Sequence, residues 1–340
     1  MIDTLLNIIH ASPVSQFLTE FNLPMDTIGV NLPSYAYEIF EADRMKYKLF
    51  FLAISKSILA INKPKDKIIL AVLGAGRGPL VDCAIKAGIK HIYGIEKNHI
   101  AMNFLKQKKE KEWKEYDIIL FEKDIREIEN ITDIKGHDLE KADIIVSELL
   151  GSLGDNELAP EILRQYEHIG KTNCAMIPNN FSSILVPIMS EFLWSKAFNE
   201  SKLNKILIIH LNASIFLSEP KQCFEFVYPG ENILYKTITM DFLVKTNATC
   251  HGFGGWFVST LFDDITMTTS PIDGTNDLFS WAPVFLPIDQ PFLVQTGDRI
   301  TLTIKRKGNN KIVWYEWAVF NPVITAIQNA GGSSYSMKLY

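Results

Sequence analysis

The sequence predicts an α/β domain with an open sheet, followed by an all-β domain, either a sandwich or a barrel. Three observations carry this. Apolar runs and helical stretches alternate over residues 67–147, the order that builds a parallel sheet. Beyond about residue 165, strand-like runs follow one another, separated mostly by glycine, proline and asparagine. A chain of 340 residues is also long for a single core. The expected divisions are a leader or remnant over 1–36, the α/β domain over 37–164 and the β domain over 165–340.

Residues 1–36 hold short apolar clusters, Leu5-Leu6 and Ile8-Ile9, then Pro13, Pro24 and Pro33. From Tyr37, apolar residues recur at helical spacing (Ile39, Phe40, Met45, Leu49, Leu52 and Ile58) until Pro64 ends the pattern. The run 67–73 is apolar and ends in glycine, the mark of a strand buried on both faces. A helix is expected at 79–87, with Pro79 at its start and Gly88 just past its end. A strand at 91–95, a charged helix at 98–114, and strands at 116–121 and 142–147 complete the alternation. Further strands are expected at 174–177, 181–187, 206–211, 223–227, 233–243, 253–261, 282–288, 299–305 and 312–319, with one helix near 190–204.

Composition narrows the function classes. The chain is 47% hydrophobic and 21% charged, ordinary for a globular protein and wrong for a disordered one. A formal net charge of -5 argues against a general nucleic-acid surface and suits cationic peptides better. Cys83, Cys174, Cys223 and Cys250 are far apart and form no CxxC, so neither a zinc knuckle nor a disulfide framework is expected. No cationic leader opens the chain, and no apolar stretch approaches the ~20 residues that span a bilayer.

The first strand runs into "VLGAGRGPL", with Gly74, Gly76 and Gly78 between strand and helix. Such a loop lets a ligand approach the backbone closely. Glu96 stands 22 residues after Gly74, at the end of the next strand, where an acid can accept both ribose hydroxyls of a nucleoside. A dinucleotide loop would need glycine at position 79, which is Pro79, so the spacing argues against NAD. It suits S-adenosylmethionine, which carries no phosphate. Asp124, after the third strand, could accept from an adenine amino group. Taken singly, Glu96 and Asp124 read as ordinary polar strand ends; with the glycine loop they read as a nucleoside site.

The fourth strand delivers Glu148 to the same mouth, and Glu157 follows in a loop with Gly151 and Gly154. Glu157 lies near the start of a helix opened by Pro160, whose dipole would keep it ionised. A metal site would need more ligands: no histidine is near, and Asp155 is the only other candidate. A glycosidase would leave the nucleoside site unexplained. The third use, gripping a guanidinium, joins both features in one reaction, because guanidinium is planar and meets carboxylates two at a time. Two carboxylates can draw positive charge to the far nitrogens and aim the near one at a methyl donor. The plainer alternative is that one glutamate caps a helix or pairs with a lysine.

Six segments, "YEIFEAD", "VLGAGRGPLV", "DIIVSELLGSLGDNELAPE", "LFSWAPVFLP", "VWYEWAV" and "SSYSMKL", together resemble the catalytic part of type II protein arginine methyltransferases, the symmetric class. The resemblance runs from about Tyr37 to the end. It implies a Rossmann-like S-adenosylmethionine-dependent methyltransferase domain followed by a β-barrel, with a dimerisation insertion near 190–212. It implies that Glu148 and Glu157 are the paired catalytic glutamates and that Tyr37, Lys46, Tyr47 and Glu96 contact the donor. It places Asp124 and Ile125 at the adenine. Phe40 matches the phenylalanine tied to symmetric product, where asymmetric enzymes carry methionine. Ser280 and Trp281 fill the loop where those enzymes carry threonine-histidine-tryptophan, and Trp281 would stack on the substrate. Without the resemblance, Tyr37, Phe40 and Trp281 read as core aromatics.

The expected activity is therefore methyl transfer to arginine, giving symmetric dimethylarginine in Sm-type proteins and histone tails. The resemblance also implies a homodimer and a cytoplasmic location with the nucleus as a second compartment. Animal members carry an N-terminal TIM barrel that docks a β-propeller partner. Only some 36 residues precede the resemblance here, so that partner is not expected of this chain. The rival expectations are a non-catalytic module that binds arginine-rich proteins and needs a partner for activity, and a methyltransferase acting on a small amine.

Overall fold

The computed structural model describes residues 34–133, 139–209, 211 and 214–339. Most of the expected leader lies outside these residues. The expected first helix is two, α1 (Ser34–Ala42) and α2 (Arg44–Ala60). Asp43 divides them: its backbone leaves the helical region, and its Oδ1 accepts from Lys46 N at 3.1 Å, capping α2.

Strand β1 (Ile69–Leu73) is buried at every residue. Next come α3 (Pro79–Ala87), β2 (His91–Glu96), α4 (His99–Lys111), β3 (Asp117–Glu122) and β4 (Ala142–Ser147). Gly78 precedes α3 at φ +99°, and a Cβ there would stand 2.6 Å from the Trp113 ring, so only glycine lets the helix seat against Trp113. After the short α5 (Ala159–Leu163) comes β5 (Gly170–Ile177), and the sheet runs β3-β2-β1-β4-β5, all parallel. Order reverses between β1 and β4. Ligand crevices of open α/β sheets form at such a switch point, beyond the carboxyl ends of the strands.

The expected boundary at 165 is corrected here. The strand read at 174–177 is the end of β5 and pairs with β4 of the first sheet, Val146 opposite Ile177. The first sheet therefore extends to residue 177. No helix separates β5 from β6 (Asn180–Met189), only Pro178 and Asn179, so the sequence reads as one run of strands.

The second domain continues with α6 (Glu191–Asn199), β7 (Leu207–Ile208), β8 (Ile215–Phe216), β9 (Lys221–Val227), β10 (Lys236–Leu243), β11 (Ala248–Phe262) and β12 (Ile265–Thr268). It closes with β13 (Val284–Val294), β14 (Arg299–Gly308), β15 (Ile312–Asn321) and β16 (Met337–Lys338). One sheet is ordered β7-β13-β11-β6-β8, with β12 and β9 attached to β11 and β6. The other is ordered β10-β14-β15-β16. Every pairing is antiparallel, and the sheets form a barrel around Phe224, Phe242, Phe253, Leu302, Ile304 and Trp317. One apolar core runs through both domains, and α2 packs against both α3 and β11. Among the described residues, no helix is long and apolar enough to cross a membrane.

Candidate active site

All thirteen residues singled out from the sequence line a single pocket at the switch point. Helix α1 brings Tyr37 and Phe40, and the start of α2 brings Lys46 and Tyr47. The carboxyl ends of the strands supply Gly74 and Gly76 (β1), Glu96 (β2), Asp124 and Ile125 (β3), and Glu148 (β4). Glu157 comes from the loop before α5, and Ser280 and Trp281 come from the barrel, between β12 and β13.

One half of the pocket is shaped for a nucleoside. Gly76 stands at φ +55°, and a Cβ on it would press the Tyr37 ring at 3.3 Å. Its N–H donates to Glu96 Oε2 at 2.7 Å, while Asn98 N donates to Glu96 Oε1 at 2.7 Å. Burial pushes the Glu96 carboxyl above its ordinary value, opposed by these N–H donors. Asn98 Nδ2 donates to the Tyr37 hydroxyl at 3.0 Å, and burial, reinforced by Glu96, pushes Tyr37 up to about 12. Asp124 lines the pocket, but its carboxylate already accepts from Arg126 at 2.7 and 2.9 Å. Burial would raise Asp124; the Arg126 hydrogen bonds outweigh it, and the group lies below its ordinary value.

The other half is an acid and aromatic cage. Lys46 Nζ lies 3.1 Å from Glu148 Oε2 and is shut off from solvent. It faces the rings of Tyr47, Trp281 and Phe40 at 4.9, 5.1 and 5.4 Å. Trp281 is fixed in place: its Nε1 donates to Leu150 O at 2.7 Å, and its ring meets Phe257 edge-on at 5.2 Å. Among the described residues, none donates a hydrogen bond to Glu157.

The structure reverses the expected electrostatics of Glu157. Its carboxyl is pushed well above the carboxylate range, first by burial and then by the Glu148 charge, with Lys46 acting the other way. The expected helix dipole does not rescue it. Helix α5 has five residues, and Leu158, at φ +66°, stands between Glu157 and its first turn. A dipole so short contributes little against burial.

Sequence reasoning missed several supporting residues. Asp43 is fully buried, and its Oδ2 accepts from Phe279 N (3.0 Å), Ser280 N (2.8 Å) and Ser280 Oγ (2.7 Å), tying the barrel loop to the start of α2. Its signal was an aspartate directly before a helix. Arg306 of β14, also fully buried, bonds Asp155 and Glu161 on either side of Glu157. Its signal was parity: it shares the strand face of Ile300, Leu302 and Ile304, where a charge needs a buried partner.

Comparison with known proteins agrees with this arrangement. Residues 10–177 match the family described as PRMT5 arginine-N-methyltransferase, and residues 180–337 match the PRMT5 oligomerisation domain. The chain is 35% identical over 336 residues to protein arginine N-methyltransferase 5 of Xenopus laevis, covering 93% of this chain and 52% of that one. It is 29% identical over 356 residues to protein arginine N-methyltransferase skb1 of Schizosaccharomyces pombe, covering 94% and 55%. The chain thus spans about half the length of these curated relatives. A solved structure, the Trypanosoma brucei PRMT1 enzyme-prozyme heterotetrameric complex with AdoHcy, superposes with a TM-score of 0.69 over 89% of this chain and 96% of that one. At 16% identity that likeness speaks for the fold. With both domains matched in order and the switch-point pocket between them, the chain belongs to the protein arginine N-methyltransferase 5 family.

Proposed function

We propose that this chain moves methyl groups from S-adenosylmethionine to arginine side chains and ends at symmetric dimethylarginine. One observation carries the reading. The cage of Glu148 and three aromatic rings already holds a cation, Lys46 Nζ, beside a second carboxylate, Glu157. An ammonium is a point charge and reaches one of the two acids. A guanidinium is flat, stacks on Trp281 and presents a donor edge to each carboxylate. Lys46 has to give up Glu148 before both acids can engage it.

S-adenosylmethionine, when bound, supplies an electrophilic methyl group on sulfur. The residues present fit it. Gly74 and Gly76 keep the loop floor free of side chains, and the two Glu96 oxygens retain lone pairs for ribose hydroxyls beyond those taken by the backbone. We assign Asp124 and Ile125 to the adenine end, and Tyr37, Lys46 and Tyr47 to the amino-acid end. Glu148 and Glu157 orient the guanidinium and hold its charge on the far nitrogens, leaving the near one to react. Glu157, raised by burial and by Glu148, suits acceptance of the proton that the methylated nitrogen releases. Phe40 narrows the cage from the α1 side and is assigned to the symmetric outcome, with Ser280 holding the opposite loop.

The proposed substrates are arginine-rich proteins, with Sm-type proteins and histone tails suggested by the family resemblance; the cage supports an arginine side chain. Self-association through the barrel domain belongs to the same proposal, supported by the oligomerisation-domain match at 180–337. The test is purified protein, a glycine-arginine-rich peptide and methyl-labelled donor, with tandem mass spectrometry of the modified arginine. One methyl on each terminal nitrogen is expected. Two methyls on one nitrogen contradict the Phe40 assignment. Donor binding without label transfer replaces the enzyme with a binding module.

A further inference from the structure

The Arg306 cluster lies outside the pocket, yet it brackets Glu157. Its guanidinium meets Glu161 edge to edge, Nη1 to Oε1 at 2.7 Å and Nη2 to Oε2 at 2.9 Å. Its Nε donates to Asp155 Oδ2, Nη1 also donates to Leu234 O at 2.9 Å, and Nη2 donates to Asp155 O at 3.4 Å. Arg306 and Asp155 are wholly buried, and Glu161 nearly so. From strand β6, Ser183 Oγ lies 2.8 Å from Leu153 O and 3.1 Å from Asp155 Oδ1, so its single proton is shared between these two acceptors of the same segment. The barrel thus grips the segment two residues before Glu157 and four after it.

Between these grips the backbone turns through Leu158 at φ +66°, a left-handed conformation that side chains other than glycine rarely hold. That turn sets where Glu157 points. A loop free to relax would not keep it; a loop fixed on both flanks does. Stability alone does not explain a buried triad of this kind, because well-packed apolar residues often serve a fold as well or better. We propose that Arg306 is a positioning residue, through which the barrel domain fixes the segment 155–161 and so aims Glu157 into the pocket. This rests on the reading of Glu157 as a guanidinium-binding carboxylate.

The test compares wild type with Arg306→Lys and with the charge-free triple variant Asp155→Asn, Arg306→Met, Glu161→Gln. The measurements are thermal stability, S-adenosylhomocysteine affinity by calorimetry, and kcat and KM on an arginine peptide. Misplacement of a catalytic group by about 1 Å costs on the order of 100-fold, so kcat should fall about 10- to 100-fold in the triple variant. Melting temperature and S-adenosylhomocysteine affinity should stay near wild type, and Arg306→Lys should recover part of the loss. Wild-type kcat in both variants overturns the assignment, as does a loss that tracks stability and nucleoside affinity together. Glu148→Gln separates the two levels. If wild type turns over, Glu148→Gln is silent and the triple variant keeps full kcat, only the Arg306 role fails. If wild type transfers no methyl, the methyl-transfer reading fails and takes the Arg306 role with it. If wild type and Glu148→Gln both turn over, the paired-carboxylate reading fails and takes the Arg306 role with it.

Discussion

Two clusters in this chain each set one cation against two carboxylates, and they could hardly be treated more differently by the fold. In the sealed cluster Arg306 bonds both of its acids, Asp155 and Glu161, out of contact with water. In the pocket Lys46 bonds only Glu148, rests against three rings, and leaves Glu157 without a donor among the described residues. Glu157 and Glu161 lie four positions apart, so sequence neighbourhood does not decide their fates. Geometry does: a guanidinium can serve two carboxylates at once and an ammonium here serves one. The sealed cluster shows within the protein what the pocket is proposed to do with a guanidinium from outside.

Glu148→Gln and Glu157→Gln should each lower turnover by about 10³-fold or more, roughly 4 kcal/mol in the barrier, in line with losing a preorganised charge. S-adenosylhomocysteine affinity should survive both changes. Residual activity near wild type in either variant would mean that the pocket acids are not a pair in function.

In the sealed cluster the large effect should be on folding. Arg306→Met alone leaves two buried carboxylates unpaired and should cost about 3–5 kcal/mol, read by chemical denaturation. A smaller loss, within ~1 kcal/mol, would show that water reaches this site and that it is not sealed. Next in size, Trp281→Leu removes the stacking face and should raise KM for an arginine peptide by about 5- to 30-fold, equivalent to ~1–2 kcal/mol. An unchanged KM would return Trp281 to the core.

The smallest effect is the most diagnostic of the difference between the clusters. The folded-state carboxyl of Glu157 is raised, so its protonated form stabilises the fold. That contribution is complete below the unfolded carboxylate value and is lost as pH rises through the folded one. Glu157→Gln should therefore melt at a higher temperature than wild type at neutral pH, with the gap closing near pH ~4. Glu161→Gln, which removes a bonded charge, should melt lower at neutral pH. The acid limb of kcat/KM should lie above the ordinary carboxylate range. It should move further up in Lys46→Met, where the one cation that lowers Glu157 is gone. Opposite signs in either pair would contradict the assignment of burial as the dominant cause.

The alternation that builds the first sheet was plain in the sequence because parallel strands are buried on both faces and read as apolar runs, as β1 and β4 do. Six pocket residues, Gly74, Gly76, Glu96, Asp124, Glu148 and Glu157, were legible as strand-end glycines and acids. Tyr37, Phe40, Lys46, Tyr47, Ile125, Ser280 and Trp281 came only with the family resemblance, and all thirteen line one pocket. The start of strand β5 is not apolar, with Lys171 half-buried on Asp143 and Thr172 and Asn173 exposed, and no helix follows it, so the sequence does not set it apart from the strands that come next. The state of Glu157 could not be read, because burial and the approach of Glu148 arise from tertiary packing, which a local helix argument does not contain. Arg306 was hidden for the same reason: its partners lie some 150 residues away, although its parity within β14 marked it.

The most direct measurement sets arginine against lysine in peptides that are otherwise identical, with methyl-labelled donor, wild type and Glu157→Gln. Label is expected on the arginine peptide alone, and it should be lost in Glu157→Gln while S-adenosylhomocysteine still binds. Equal labelling of the lysine peptide, or full labelling of arginine by Glu157→Gln, would contradict the claim that two carboxylates in this pocket select and hold a planar cation.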